Sequence, residues 1–423
     1  MTYFLFSLGC KVNSYECSAL ASMLRKLGYF EDRENPDVVI INTCSVTATA
    51  DQKSRQHIRK FQKQYPSAII VVMGCYAQGH SDFIANDINA DIIVGTSHRN
   101  EIPTLIEEYL RNHKQIVKVD KNTRTLCYED FGVTSYSENI RAYLKIQDGC
   151  NNFCSYCLIP YRRGNARSRS KESILEEARY LVHNHYQEIV LTGIDVSSYG
   201  VDLGHTNLYE LVKELINIEG LESLRISSIE AHDMSEELLY LYKNNKVLAK
   251  HIHIPLQSGS KTVLERMHRK YQKEDFLKKI KLLRSIMPEI MISTDVIVGF
   301  PGESDEEFLE TKEFIKECGF NQLHVFPFSS RKETLAAKMP NQVNDIVKKQ
   351  RVSALLQLSK ELWDEYVSHF INKEVEVLVE KYDVNKKVNI GHTTNYIEVA
   401  IPSLEGKVGQ RITVKLEKSM IVS

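Results

Sequence analysis

The chain has 423 residues, 43% hydrophobic and 26% charged, with a formal net charge of −1. At about 150 residues per domain this length predicts roughly three domains, each with enough apolar residues for its own core. The charge balance excludes a uniformly basic surface, so a nucleic-acid partner must meet a local basic patch, and no apolar run approaches the roughly 20 residues a bilayer needs.

The opening "MTYFLFSLGCKVN" has no basic leader and no small-residue cleavage site, which predicts a first strand and a cytoplasmic protein. "YFLFSL" (3–8) is an apolar run, and the helix after it carries Leu20, Met23, Leu24 and Leu27 at helical spacing, with Gly28 as its stop. "VVII" (38–41), "AIIVVM" (68–73) and "DIIVG" (91–95) repeat the strand pattern between polar helical segments. Runs apolar on both faces and joined by helices predict a doubly wound parallel α/β domain over 1–111.

Three of these strands end in cysteine, at Cys10, Cys44 and Cys75. In a parallel sheet their carboxyl ends share one edge. A flavodoxin-like 2-1-3 order sets the first strand between the other two, with neighbours about 4.8 Å apart. One cysteine after a buried strand is ordinarily packing. Three at the same topological position point to a metal site. Cys17, Cys127 and Cys318 have no such placement and read as structural.

Residues 112–135 read as a linker with a short hairpin. From 142 the alternation resumes through six βα units, too few for a closed eight-fold barrel, so 136–366 reads as an open partial (βα)6 barrel. Ser173 and Glu176 suggest a capping box. A long helix near 342–370 holds Trp363, read as core. The tail from 367 to 423 alternates apolar and polar residues between glycines, which predicts a small antiparallel β-barrel of a kind often used on RNA.

The densest chemistry lies in "DGCNNFCSYCLIPYRRG" (148–164), with Cys150, Cys154 and Cys157 as C-x3-C-x2-C. An odd total of nine cysteines with one tight cluster favours metal chemistry over disulfides. A structural zinc site would need a fourth ligand nearby. A four-iron cluster tolerates three thiolates, because its fourth iron can bind something else.

This spacing resembles the signature of the radical S-adenosylmethionine (SAM) superfamily, in which the open iron takes the amino and carboxylate groups of SAM. With the N-terminal cysteines and the terminal barrel, the whole chain resembles the radical-SAM methylthiotransferases. The resemblance implies catalysis by a [4Fe–4S] cluster on Cys150, Cys154 and Cys157 and an auxiliary [4Fe–4S] cluster on Cys10, Cys44 and Cys75. It further implies two uses of SAM, a TRAM-type RNA-binding tail, an external electron donor and a sulfur source. "LGCKVNSYE" (8–16) and "NTCSVT" (42–47) look like the branch that acts on N6-threonylcarbamoyladenosine at position 37, in the tRNA anticodon stem-loop. The isopentenyladenosine branch reads nearer "GCQMN", and the branch acting on a ribosomal-protein aspartate nearer "GCPKN". Asn165 and "RKET" (331–334) depart from the usual pattern.

SAM needs polar anchors at strand ends. Gly193 in "LTGID" resembles the segment that meets the methionine amino group, and Ser228, Glu230, Gln257 and Asp295 are similarly placed. His251 and His253 read as packing. Arg162, Arg163, Arg167 and Arg169, with Lys171, form an acid-free run read as an RNA phosphate contact. The rival readings are a non-catalytic iron–sulfur RNA-binding redox sensor and a zinc-stabilised adaptor.

Overall fold

A computed structural model of the chain describes residues 1–135 and 140–422; the boundary expected at 136 and the last residue, 423, lie outside them. No described helix is long and apolar enough to cross a membrane.

The first sheet holds β1 (Thr2–Ser7), β2 (Phe30–Glu31), β3 (Val38–Thr43), β4 (Ile69–Gly74), β5 (Ile92–Val94) and β6 (Ile116–Lys118), all parallel, in the order β2-β1-β3-β4-β5-β6. Helices α1 (Lys11–Lys26) and α4 (Ile102–Asn112) cover one face through Leu20, Leu24, Ile102 and Ile106. Helices α2 (Ala48–Gln64) and α3 (Cys75–Phe83) cover the other through Ile58, Phe61, Tyr76 and Ala77. β3 and β4 are buried along their whole length, as a sheet covered on both faces requires.

The flavodoxin-type order is present, but the strand outside β1 is the two-residue β2. The middle of the three cysteine-bearing strands is therefore β3, ending at Cys44, and not the first strand. No hairpin follows α4: β6 joins the sheet in parallel register. Beyond it a polar strap ties this domain to the next. Glu129 pairs with Arg99 at 2.7 Å and Asp130 with Arg169 at 3.0 Å, and the Thr134 amide donates to Glu177 at 3.0 Å.

The second domain is an arc of six parallel strands, β7 (Arg141–Lys145), β10 (Glu188–Thr192), β11 (Leu224–Ile226), β12 (His251–His253), β13 (Met291–Val298) and β14 (Gln322–Pro327). A short antiparallel pair, β8 (Gln147–Asp148) and β9 (Arg167–Ser168), brackets the cysteine loop. The six strands of the arc form two three-stranded sheets, β11-β10-β7 and β12-β13-β14, joined where residues flanking β11 and β12 bond, Leu224 to Val247 and Ile229 to His253. Helices α5 (Ile159–Arg163), α6 (Lys171–His183), α7 (Leu208–Leu215), α8 (Glu236–Asn244), α9 (Lys261–Arg266), α10 (Lys273–Ile286) and α11 (Asp305–Cys318) lie along the connections. The cap of α6 is Ser170, accepting from the Ser173 amide, rather than Ser173 itself; the reciprocal box is Ser304 with Glu307 on α11.

Helix α12 (Asp345–Ser368) leads to β15 (Glu374–Asp383), β16 (Val388–Thr393), β17 (Glu398–Pro402) and β18 (Arg411–Lys415), an antiparallel half-barrel in the order β17-β16-β15-β18. Its core joins Val377, Val399 and Leu416 to Tyr366, Val367 and Met291, with Trp363 packed at the margin. At the opening ends of the barrel strands, Tyr396 stacks between His251 and His392, and Arg225 lies 4.6 Å over its ring.

Beneath that stack Glu188 binds Arg141 at 2.6 Å and Arg225 at 2.9 Å. Burial alone would raise the Glu188 carboxyl, but Arg225 and Arg141 outweigh it and hold it at about 2. An unfolded glutamate titrates near 4.5, so between about pH 2 and 4.5 the unfolded chain binds more protons and stability rises with pH. The contribution is complete above pH 4.5 and is lost as pH falls toward 2. Glu188→Gln should cost about 3 kcal/mol at pH 7 and flatten the acid limb in denaturation measured against pH.

Candidate active site between two cysteine trios

Each trio is shaped by the turn that carries it. Gly9 (φ +105°) lies so close to Cys44 that an added Cβ would stand 2.9 Å from the Cys44 Cβ, and Gly74 (φ +100°) would clash with Asn42. Only glycine allows these two reversals, and each directs the cysteine that follows toward the sheet's switch point. Asn13 ties the strand ends together, its amide donating to Leu8 O at 2.7 Å and Thr43 O at 3.2 Å. Cys10 is exposed, Cys44 and Cys75 are buried, and the three thiols lie within electrostatic reach of one another. Burial pushes Cys44 up to about 11 and raises Cys75.

Cys150, Cys154 and Cys157 sit on the loop after β8. Cys150 Sγ accepts from the Asn152 amide at 3.4 Å, Cys157 Sγ from the Ile159 amide at 3.4 Å, and Cys154 Sγ from Arg269 at 3.5 Å. Burial pushes Cys157 up to about 12 and Cys150 higher still. A thiol binds iron as thiolate, and the donors already in place are those that favour that form. Among the described residues no group of three His, Cys, Asp or Glu side chains closes on a single ion. Cys157 is within electrostatic reach of Cys75, which brings the second trio near the first across the domain boundary.

Beside the cysteine loop, with Cys157 in its wall, lies a cavity of about 240 Å³. Val46 and Thr47 wall it on the first domain's side, Tyr156 to Ile159 on the cysteine loop, and Gln257, Asp295, Ile297 and Phe326 to Ser329 at the strand ends. Tyr156, Phe326 and Phe328 present aromatic faces, while Gln257 and Asp295 provide polar atoms. The "RKET" segment (331–334) is tied to both neighbouring elements: Arg331 binds Asp51 at 2.5 Å and Glu333 binds Arg162 at 2.5 Å.

The expected SAM anchors fall into two groups. Gln257 and Asp295 line the cavity, with Asp295 3.4 Å from His253. Ser228 and Glu230 follow β11, and Glu230 binds Arg269 at 2.5 Å. The open side of Gly193 is filled by Gln147, whose Oε1 accepts from Ile194 and Asp195 while its Nε2 donates to Asp148 O and Gly149 O. Gln147 thus clamps the strand end to the cysteine loop. Asp195, which the sequence reading passed over, lies 3.7 Å from Cys150 Sγ and accepts from Asn152 at 3.0 Å. Burial, with Glu230 and Asp233 beside it, lifts its carboxyl to about 6. Carboxylates at Asp195 and Glu230 with a guanidinium at Arg269 match the ammonium and carboxylate of an amino acid, so the residues present fit the methionyl end of SAM.

The arginines expected at RNA phosphates are not available to RNA. Arg163 is fully buried and donates to Glu16 at 2.8 Å, to Asp148 at 3.1 Å and, through Nε, to Cys75 Sγ at 3.3 Å. Arg167 binds Asp148 at 3.3 Å, Arg169 binds Glu177 and Asp130, and Arg162 binds Glu333. Lys171 pairs with Glu214 at 2.6 Å. The run is free of acids in sequence because its acids come from elsewhere in the fold. His251 and His253, read as packing, both bond Ser293 Oγ at 2.9 Å inside the barrel, and His251 also stacks on Tyr396.

A cysteine triplet opening a six-stranded βα arc, with polar strand ends above it, defines the radical-SAM class. Residues 144–315 match the model of the radical SAM superfamily, and residues 2–95 match that described as uncharacterized protein family UPF0004. Over 98% of this chain and 93% of the relative, the sequence is 42% identical to the threonylcarbamoyladenosine tRNA methylthiotransferase MtaB of Bacillus subtilis (strain 168). It is 36% identical to a tRNA-2-methylthio-N(6)-dimethylallyladenosine synthase of Thermoanaerobacter sp. (strain X514), over 96% of this chain and 88% of that one. The chain therefore belongs to the radical SAM/UPF0004 methylthiotransferase family, which brings with it SAM and a [4Fe–4S] cluster. In fold alone it is similar to the radical SAM methyltransferase TsrM from Kitasatospora setae, with a TM-score of 0.60 at 13% identity, covering 79% of this chain and 74% of that one.

Proposed function

We propose that this chain is a cytoplasmic tRNA methylthiotransferase that converts N6-threonylcarbamoyladenosine at position 37 to its 2-methylthio derivative. The observation that carries the reading is one aromatic-walled cavity lined by Cys157 on one side and, just after Cys44 in the chain, by Val46 and Thr47 on the other. In this reading Cys150, Cys154 and Cys157 hold the catalytic [4Fe–4S] cluster, and Cys10, Cys44 and Cys75 hold an auxiliary one. Glu230, Gln257, Asp295 and Ser228 contact SAM, Gly193 acts through Gln147, and Asp195 and Arg269 join them. The work divides among 1–111, 136–366 and an RNA-binding tail at 367–423, with an external electron donor and a sulfur source.

When bound, SAM and the catalytic cluster supply a 5′-deoxyadenosyl radical for a C2–H bond that no side-chain base could ionise near pH 7. The protein's own part is placement. Tyr156, Phe326 and Phe328 stack on a purine already unpaired in an anticodon loop, beside the SAM that Asp295 and Gln257 hold.

Lys11 favours the threonylcarbamoyl substrate over the dimethylallyl one. It follows Cys10, is half-buried and forms no ion pair among the described residues. Its electrostatic neighbours include Arg225 and Arg141, the Glu188 carboxylate that both of them bind, and His251 and His324 across the barrel. A threonylcarbamoyl group offers a carboxylate to that ammonium; a dimethylallyl group offers none. The test is turnover on synthetic anticodon hairpins bearing one or the other modification, read by nucleoside mass spectrometry. The threonylcarbamoyl hairpin should be methylthiolated, and Lys11→Gln should lower kcat/KM on it about 10- to 100-fold, the worth of a hydrogen bond to a charged group. Product from the dimethylallyl hairpin alone would refute the substrate assignment.

A further inference from the structure

With the expected arginines buried and the tail nearly neutral, at eight Lys/Arg against seven Asp/Glu over 368–423, the RNA backbone needs another cationic surface. Helix α2 is that surface in its chemistry and its position. Asp51, Ser54, Ile58 and Phe61 face inward. On the outer side Lys53, Arg59, Lys60 and Lys63 are exposed and Arg55 is partly so. The only acid on the helix is Asp51, which is buried and bound to Arg331.

None of these five cations forms an ion pair among the described residues. Exposed lysines elsewhere, such as Lys278 and Lys316, stand beside carboxylates on their own helices. A row of cations without local counter-charge is repelled within itself and is relieved by an external polyanion. Its position supplies the second argument. Thr47 caps α2 and, with Val46, walls the cavity beside the cysteine loop; the Ala48 amide donates to Ser329 of the opposite wall at 3.1 Å. From that mouth the helix runs outward for about 25 Å, long enough to follow several nucleotides.

We infer that the outer face of α2 binds the phosphate backbone of the RNA whose base enters the cavity, a surface that rests on the function proposed above for its partner. Its contacts are phosphate contacts, so they hold the RNA in register without reading its sequence.

The test is binding of an anticodon stem-loop RNA to the full-length protein over a series of salt concentrations. The wild type is compared with a Lys53→Ala, Arg59→Ala, Lys60→Ala, Lys63→Ala variant and with a control carrying alanine at Lys243, Lys246, Lys278 and Lys281. Each lost single-strand phosphate contact lowers the slope of log K against log salt by about 0.7, so the α2 variant should lose about two to three units of slope. The control should keep the slope, and both variants should retain RNA-independent cleavage of SAM. An unchanged slope in the α2 variant, or an equal loss in the control, overturns the inference while leaving turnover of the modified hairpin intact. Conversely, loss of slope in an enzyme that methylthiolates neither hairpin supports the surface and refutes the proposed reaction.

Discussion

Replacing Cys150 with alanine is expected to bring 5′-deoxyadenosine formation to background. Three thiolates are the minimum that leaves one iron open for SAM, so removing one does more than weaken a contact. Two ligands no longer hold a cluster against loss of iron, and Cys150 is also the thiol nearest Asp195. Anaerobically reconstituted wild type should carry about eight irons and the variant about four, if both clusters are of the four-iron type. The remaining four report that the Cys10, Cys44 and Cys75 site is intact and that the protein is folded. Substantial 5′-deoxyadenosine from Cys150→Ala would mean that this loop does not hold the catalytic cluster.

Arg163→Met is expected to have the second largest effect, through stability as well as chemistry. Its guanidinium lies in a buried network in which Arg99, Lys145, Arg163 and Arg167 meet Glu16, Glu129 and Asp148. Four cations against three carboxylates leave one positive charge, and Arg163 presents it to Cys75 Sγ at 3.3 Å. Burial alone would raise the Glu16 carboxyl; Arg163, Arg99 and Lys145 together hold it far below the usual carboxylate range. Removing one partner of such a pair costs about 3–5 kcal/mol, because the other charges stay buried. The substitution should therefore lower the denaturation midpoint and loosen the boundary between the first two domains. Arg163→Lys keeps the charge but not the forked geometry that reaches Glu16, Asp148 and Cys75 together. It should fold, and it should shift the auxiliary cluster to a more negative potential, since a donor to a ligating sulfur is lost. An unaltered potential would show that the Arg163–Cys75 contact is structural only.

Much of this site could be read from sequence because its signals are local. "GC" after β1 and β4 and "TC" after β3 end in cysteine at one topological position, and parallel pairing alone brings such positions together. The six βα units were equally plain from their apolar runs. β2 was not, because two exposed residues at a sheet edge leave no hydrophobic pattern. The misreading of Arg163 has a different cause. Its partner Glu16 lies 147 positions away, and no window on the sequence distinguishes a cation awaiting phosphate from one awaiting a distant carboxylate. The basic run of α2 was present throughout as "KSRQHIRKFQK". Its significance lies in Thr47 reaching the cavity, which only the fold shows.

The most direct test of the whole account is the low-temperature EPR spectrum of the anaerobically reconstituted, chemically reduced protein, compared with spectra of its two triple-alanine variants, one for each trio. Clusters brought near each other across the domain boundary should couple, so the wild-type spectrum should be broadened or split relative to the sum of the two single-cluster spectra. A wild-type spectrum equal to that sum would place the two metal centres apart and contradict a shared active site.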